Sequence, residues 1–410
     1  MLPLEGIKIL ELTTAWFGPY STVLLSDMGA EVIKIERREP LTARGMVNPR
    51  TDPKGIPTNF LALNRNKKSI ALDISKQKAK EIVYKLVERS DVFVQNFRVG
   101  VLERQGFDYQ TFCKYNPQII YCSGTGFGLK GPHSRRAAYD IIAQGLSGLI
   151  AQTGWPGSPP TPAGTAPCDL GGSMLIAFGV MLALYVREKT GMGQELDVSL
   201  LSTAMALQVP QITSYLTNEQ IFNKGMGTGH GDIPSTYGLF KTQDSWIAVG
   251  GVGEVRWSSF CKVMDMEQLQ NDARFATAQA RGEHMAELIS IVDQQFLTKT
   301  TAEWLQLLGE ADGIVGPINT YAELVKDPQV IENEYVQEID YPGYGPVKVV
   351  GIPVNLHKTP GKIRGAPAAH GENTGDILLE LGYSKEEIAQ LEAEGVAGPA
   401  PVPQIPPKET

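Results

Sequence analysis

Ile7-Lys-Ile-Leu-Glu-Leu12, Thr13-Thr-Ala-Trp-Phe-Gly-Pro19, Tyr20 to Met28 and Gly29-Ala-Glu-Val-Ile-Lys-Ile-Glu36 follow one another at the start of the chain. The first and last pieces are short and rich in Ile, Leu and Val, as buried strands are. Between them a turn and a helix supply the length that two parallel neighbours need. The stretch therefore predicts a βαβ unit. Glu36 stands where a dinucleotide-binding fold keeps its ribose-binding acid. The first turn, however, lacks GxGxxG and holds Trp16 and Phe17 instead, which disfavours a nicotinamide or flavin cofactor.

The alternation continues outward from this unit. After a polar loop over 38–58, Ser69 to Asp73 reads as a strand, Lys76 to Arg89 as a helix and Asp91 to Asn96 as a strand. Residues 108–115 read as a helix and Gln118 to Ser123 as a strand. Such a run predicts a doubly wound α/β domain. Ligands gather at the carboxyl ends of the strands in these sheets. Those ends are Trp16-Phe17, Arg37-Arg38, Leu72-Asp73, Asn96-Phe97-Arg98 and the glycines at 124, 126 and 128. Alternate glycines after a strand suit a tight turn as readily as a phosphate loop. Arginines 37, 98 and 104 suit solvent as readily as phosphate oxygens, to which their forks are matched.

A second informative stretch is Thr165-Ala-Pro-Cys-Asp-Leu-Gly-Gly-Ser173, leading into the apolar Met174 to Val186. It predicts a long helix apolar on nearly every side, hence buried. Asp169 lies on its first turn, with Gly171 and Gly172 leaving room for a ligand. One reading makes Asp169 an N-cap. The other uses the free amides and the helix dipole to hold a poorly hydrated carboxylate ionised, a competent nucleophile toward an activated acyl group. Leu170 to Gly172 would then offer amides to a tetrahedral oxyanion. The stretch alone leaves both readings open.

Gln194 to Ser199 reads as a strand and Leu200 to Leu216 as a helix. Asn223 to Pro234 carries glycine at 225, 227, 229 and 231, marking a linker or an active-site flap. Beyond it, a hairpin at 236–249 and several helices suggest a smaller α+β domain, before strands near 335–340 and 346–351. The expected divisions are 1–222, a smaller domain at 223–325 with the glycine-rich loop, and 326–410. At 410 residues the chain can bury a real core. A net charge of −8 argues against nucleic acid as a partner. No apolar run reaches the length of ~18 residues that a membrane span needs. Met1 to Lys8 lacks a basic-then-apolar leader, so a cytoplasmic location and no membrane partner are expected. The four cysteines form no CxxC pair and no metal-ligand spacing with the five histidines, and no metal is expected.

Taken together, Leu4 to Leu12, Gly18-Pro19, Gly29 to Glu36, Asn64 to Asp73, Asn96 to Gly100, Tyr139-Asp140, Asp169, Lys189 to Gln194 and Ala366-Pro367 resemble the family III CoA-transferases, the CaiB/BaiF-like group that includes formyl-CoA transferase. The resemblance implies a large Rossmann-like CoA-binding domain with a smaller α+β domain. It also implies two ring-like chains interlocked as a dimer, with an identical or a related subunit. It makes Asp169 the nucleophile that takes an acyl group from acyl-CoA and then carries CoA as an aspartyl thioester to a carboxylic acid. CoA, the only cofactor implied and itself a substrate, would lie along Arg37, Leu72, Asn96, Phe97, Arg104 and Tyr139. Ala15, Trp16 and Arg98 at neighbouring strand ends join these candidates. Gly227, Gly229 and Gly231 look like the family's mobile active-site loop.

The sequence also departs from formyl-CoA transferase. CoA-contacting lysines are replaced by Ser75, Thr125 and Ala137, with Arg135 and Arg136 as substitutes. A first-turn glutamine becomes Trp16, which suggests an acceptor acid bulkier than oxalate, with an apolar or aromatic part. Asn373 replaces the usual histidine. The nearest alternative is a 2-methylacyl-CoA racemase, but Tyr139 stands where its proton-shuttling histidine should precede the acid. A CoA-binding subunit of a mixed oligomer is a further alternative, against which the intact Asp169 speaks.

Overall fold

The computed structural model describes residues 1–39, 58–155, 157–219 and 236–400. The chain divides into two compact units: Met1–Ser147 with Gly164–Leu207 and Gln329–Thr410, and Gly148–Ala163 with Gln208–Pro328. The changeovers fall at 207/208 and 328/329, where the sequence suggested 222/223 and 325/326, and residues 148–163 join the second unit.

In the first unit the chain runs β1 (Lys8–Leu12), α1 (Phe17–Asp27), β2 (Glu31–Glu36), α2 (Thr58–Asn64), β3 (Lys67–Ala71), α3 (Gln77–Glu88), β4 (Val92–Gln95), α4 (Tyr109–Tyr115), β5 (Ile120–Thr125) and α5 (Asp140–Leu146). After a segment in the second unit come α6 (Pro167–Thr190), β6 (Glu195–Ser199) and α7 (Leu200–Ala206). The six strands are parallel in the order β3-β2-β1-β4-β5-β6. Alternate side chains feed two cores. Leu10, Leu12 and Phe93 pack against α3 and α4; Ile9, Val92 and Val94 pack against α1, α6 and α7. Covering both faces explains why these strands read as continuous apolar runs. The order reverses between β1 and β4, and crevices for ligands open at such a switch point.

Several expectations are corrected here. Helix α2 follows the polar loop of 38–58 directly, over residues to which the sequence reading assigned no element. The helix expected over 200–216 is two, broken at Leu207-Gln208, with Pro210 in the first turn of the next helix, α8 (Val209–Asn218). Proline lacks the amide that a continuous helix would need there. Helix α6 is buried on one side only. Ile176, Val180 and Ala183 face the core, while Met174, Phe178, Leu182 and Tyr185 are 49–64% exposed. Its length and hydropathy would suffice to cross a membrane, yet the inner side is packed on α1 and the sheet.

The last part of the chain returns to this unit through β-hairpin 336–350 and helices Thr374–Glu380 and Lys385–Ala393. Hydrogen bonds fix the return. Arg364 donates to the Gly29 and Ala30 carbonyls. Asn373 accepts from the Ser69 amide at 2.9 Å and returns its own amide to the Ser69 carbonyl. That clamp on β3 is the physical account of asparagine at this position. The second unit pairs β7 (Tyr237–Lys241), β8 (Trp246–Gly250) and β9 (Val315–Pro317) in an antiparallel sheet. Residues 315–317 are its third strand. Helices pack on it around Phe240, Trp257, Phe296 and Trp304.

Candidate active site at the foot of helix α6

Pro167 opens α6, as suits a residue with no amide to satisfy. The N-cap is Ala166, which offers no side-chain acceptor. The acceptor comes instead from α5: Asp140 Oδ1 takes the Cys168 amide at 2.7 Å and the Asp169 amide at 3.0 Å. Gln144 donates to the other Asp140 oxygen. Asp169 is therefore not the cap, and its carboxylate has no hydrogen-bond partner among the described residues. Burial, reinforced by the Asp140 carboxylate, pushes its pKa up to about 7. This corrects the expectation that free amides would hold Asp169 ionised, because a second acid has taken them. The oxyanion role expected of Leu170 to Gly172 is corrected as well. Leu170 donates to the Ala166 carbonyl, and the next amides point into the helix.

The two glycines beside Asp169 make room for protein, not ligand. A Cβ on Gly172 would lie 2.4 Å from the Phe17 ring, and one on Gly171 would lie 3.3 Å from Thr203. The Ser173 hydroxyl, 2.7 Å from both the Phe17 and Asp169 carbonyls, ties the start of α1 to the start of α6. Gly126 likewise lets Ala138 approach, its Cβ position being 2.5 Å away. The Gly128 amide donates to Thr125 Oγ1 in a turn with φ +89°. The alternate glycines thus serve close packing and a turn.

Two clefts meet at the β1/β4 switch point. One, of ≈ 240 Å³, is lined by Asp169, Phe17, Asn96, Arg98, Gly124 to Gly126, Ser134 and Arg136. The other, of ≈ 430 Å³, is lined by Trp16, Lys34, Glu36, Arg37, Asn59, Phe60 and Asn64. Ala15, Phe97 and Tyr139 border both. Seven of the CoA candidates (Ala15, Trp16, Arg37, Asn96, Phe97, Arg98 and Tyr139) are thus brought together with Asp169. Leu72 and Arg104 are not among the lining residues. Leu72 is wholly buried in the core beneath β2 and β3, so its side chain is unavailable to CoA. Arg104 is exposed beside Gly100. Asn96 lines a cleft, but both of its polar atoms are engaged: it accepts from the Thr14 amide and donates to the Thr14 carbonyl, each at 2.8 Å. It shapes the turn, where Ala15 sits at φ 59°, an αL conformation costly for a residue with a Cβ. Glu36 accepts from Ser69 Oγ at 2.5 Å. Gly227, Gly229 and Gly231 lie outside the described residues.

Sequence reading missed the buried charges beneath the larger cleft. Glu11, wholly buried, lies 2.6 Å from Lys34 Nζ and 2.8 Å from Lys67 Nζ. Thr22 donates to it at 2.5 Å, and Thr13 also donates. Lys67 further donates to the Pro19 and Leu63 carbonyls. Burial alone would raise the Glu11 pKa, but the two ammonium groups hold it at about 2. The available signal was a charge in the middle of each of two adjoining apolar strands, since unpaired charges are almost never buried. Asp140 carried no comparable signal, because its role depends on a helix that starts 27 residues later.

The parallel α/β sheet, with an uncapped, half-buried carboxylate at its switch point, has the fold of solved CaiB/BaiF family structures. A CaiB/BaiF family protein from Brucella suis superposes with TM-score 0.81 at 31% identity, covering 93% of this chain and 99% of that one. A hypothetical protein from Mycobacterium tuberculosis superposes with TM-score 0.82 at 26% identity, covering 92% and 99%. Residues 4–374 match the family model of CoA-transferase family III, and the chain belongs to that family. It is 37% identical to succinyl-CoA:glutarate CoA-transferase of Homo sapiens over 96% of this chain and 90% of that protein. It is 32% identical to succinyl-CoA–D-citramalate CoA-transferase of Chloroflexus aurantiacus over 96% and 98%. The chain is a CoA-transferase.

Proposed function

We propose that this enzyme moves CoA from succinyl-CoA to a short dicarboxylic acid, with Asp169 as the covalent carrier. The single observation that carries the proposal is the uncapped Asp169 carboxylate lining a cleft at the strand ends. The relatives named for succinyl-CoA support the donor. An Asp169 oxygen attacks the thioester carbonyl, the C–S bond breaks and CoA leaves as thiolate, giving a mixed anhydride. The thiolate attacks the Asp169 carbonyl and expels succinate. The acceptor carboxylate then attacks the aspartyl-CoA carbonyl, breaking its C–S bond to give a second mixed anhydride and free thiolate, and that thiolate attacks the acceptor's carbonyl to release acceptor-CoA and the Asp169 carboxylate. Each step exchanges one acyl bond for another and needs no outside reactant.

Arg98, Arg136 and Ser134 share the cleft with Asp169, and their donors suit the far carboxylate of a dicarboxylic acceptor. Trp16 stands in the larger cleft with Arg37 and Phe60. The apolar wall that suggested a bulky acceptor therefore supports a stacking role toward CoA better than contact with the acceptor. The test is a matrix of acyl-CoA donors against glutarate, citramalate, oxalate and aryl-substituted succinates. Transfer from succinyl-CoA to the aliphatic dicarboxylates is the expected result. Hydrolysis without transfer to any acid refutes the proposal, and α-hydrogen exchange without transfer supports the racemase. No histidine is among the residues lining either cleft.

A homodimer is proposed alongside. Its support is the apolar outer side of α6, continued by Tyr139, Ile141, Ile142 and Leu146 around α5, all 45–74% exposed. An apolar surface so exposed among the described residues belongs to an interface. Light scattering should give twice the chain mass, and Phe178→Glu should shift the protein to monomer or aggregate. A monomeric wild-type protein at micromolar concentration would refute the dimer.

A further inference from the structure

The first turn of α6 exposes the Cys168 and Asp169 amides, and two acids stand within reach of them. An acidic side chain on the first turn ordinarily gains from such amides and from the positive end of the helix. Here Asp140 takes both, through a single oxygen at 2.7 and 3.0 Å. Gln144, one turn along α5, donates to its second oxygen. Asp140 is 8% exposed and belongs to a different helix, so it joins α5 to α6 while satisfying the α6 terminus. Asp169 remains half-buried, uncapped and in the cleft.

We infer that Asp140 is a positioning residue for CoA transfer that acts through Asp169. It occupies the amides that would otherwise draw the Asp169 carboxylate back onto its own helix. Asp169 thereby keeps its lone pairs free for the thioester carbon. The inference rests on reading Asp169 as the nucleophile. A carboxylate without hydrogen-bond donors is the stronger nucleophile, since no bond to a donor must be broken as it attacks. The accompanying cost is a raised affinity for protons. The titratable groups that interact with Asp169 are Asp140 from α5 and Cys168 from α6, while Arg98 from the segment after β4 and Arg136 and Tyr139 from the segment before α5 line the same cleft. Of these, Asp140 is the charge that raises the pKa beyond what burial does.

Two substitutions separate this role from a merely structural one. Asp140→Asn keeps an oxygen for the amides but removes the charge. The acid limb of its kcat/KM profile should move about one pH unit lower, with the KM for acyl-CoA nearly unchanged. Asp140→Ala frees the amides to capture Asp169. Its kcat should fall about 10- to 100-fold, again with little change in KM. The readout beneath both is the rate at which acyl-CoA labels Asp169, followed by peptide mass across pH. An unshifted limb in Asp140→Asn together with wild-type labelling in Asp140→Ala overturns the inference while leaving the nucleophile in place. If Asp140→Ala fails to fold, an unshifted limb in Asp140→Asn overturns it alone. Labelling of the wild-type protein elsewhere than at Asp169 removes the nucleophile reading itself, and this inference with it.

Discussion

Asp169→Ala should lower CoA transfer by roughly 10⁴-fold or more, because no other group in the cleft can form the anhydride and pass CoA onward. The loss should lie in kcat, with acyl-CoA still bound at the switch point. Steady-state kinetics and titration of acyl-CoA binding check both halves, and near-wild-type turnover would refute the carrier role. The same carboxylate predicts the pH profile. Transfer requires its ionised form, and its pKa is raised from 3.8 to about 7. The wild-type kcat/KM should therefore rise with pH up to about 7 and level off above it. Stability should move the other way. An acid whose folded-state pKa is raised binds its proton more tightly in the folded chain, so folding weakens as pH climbs from 3.8 toward 7. Asp169→Asn removes that penalty, and its thermal midpoint at pH 8 should equal or exceed that of the wild type. An active site that sacrifices stability for a reactive carboxylate behaves in this way.

The second large effect concerns folding. Glu11→Gln leaves Lys34 and Lys67 buried without their shared counter-ion, and Lys67, whose pKa burial already lowers to about 8, loses the carboxylate that supports its charge. Breaking a buried pair from one side costs about 3–5 kcal/mol. That is a large part of the 5–15 kcal/mol or so that holds a typical domain folded. Denaturant titration should show the loss, and the larger cleft should lose acyl-CoA affinity because Glu11 organises β1, α1 and α2 beneath it. Lys67→Met added to Glu11→Gln should recover part of the stability by removing one orphaned charge. The pH dependence has a definite sign. The Glu11 pKa is lowered in the folded state from its ordinary 4.5 to about 2. Its contribution is complete above about 4.5 and disappears as pH falls toward 2. Glu11→Gln should flatten that part of the acid-unfolding curve. An unchanged curve would show that the pair contributes nothing net.

Much of the α/β domain was legible because its signals are local. Apolar runs such as Val92 to Val94 and Ile119 to Cys122 show as strands whatever surrounds them, and the amphipathic Gln77–Glu88 shows its buried face by spacing alone. Helix α2 was hidden because it follows a polar stretch and has only seven residues. The site was legible in outline: strand ends converge, so Trp16, Arg37, Phe97 and Arg98 were readable as neighbours, and the family resemblance added Asp169 to them. What each does there was less legible. Leu72 proved to be core, and Asn96 spends its amide on the Thr14 peptide.

The sequence by itself determined the strand and helix alternation, the absence of a dinucleotide fingerprint in the first turn, and an acid at the start of an apolar helix. Periodicity and residue type are properties of neighbours along the chain. Only the tertiary structure decided that Asp140, not Asp169, caps α6, that the outer side of α6 is exposed among the described residues, and that Asn373 secures β3. Each depends on a partner distant in sequence, 29 positions away for Asp140 and Asp169 and 304 for Ser69 and Asn373. A hydrogen bond between such residues exists only once the sheet has brought them within 3 Å or so.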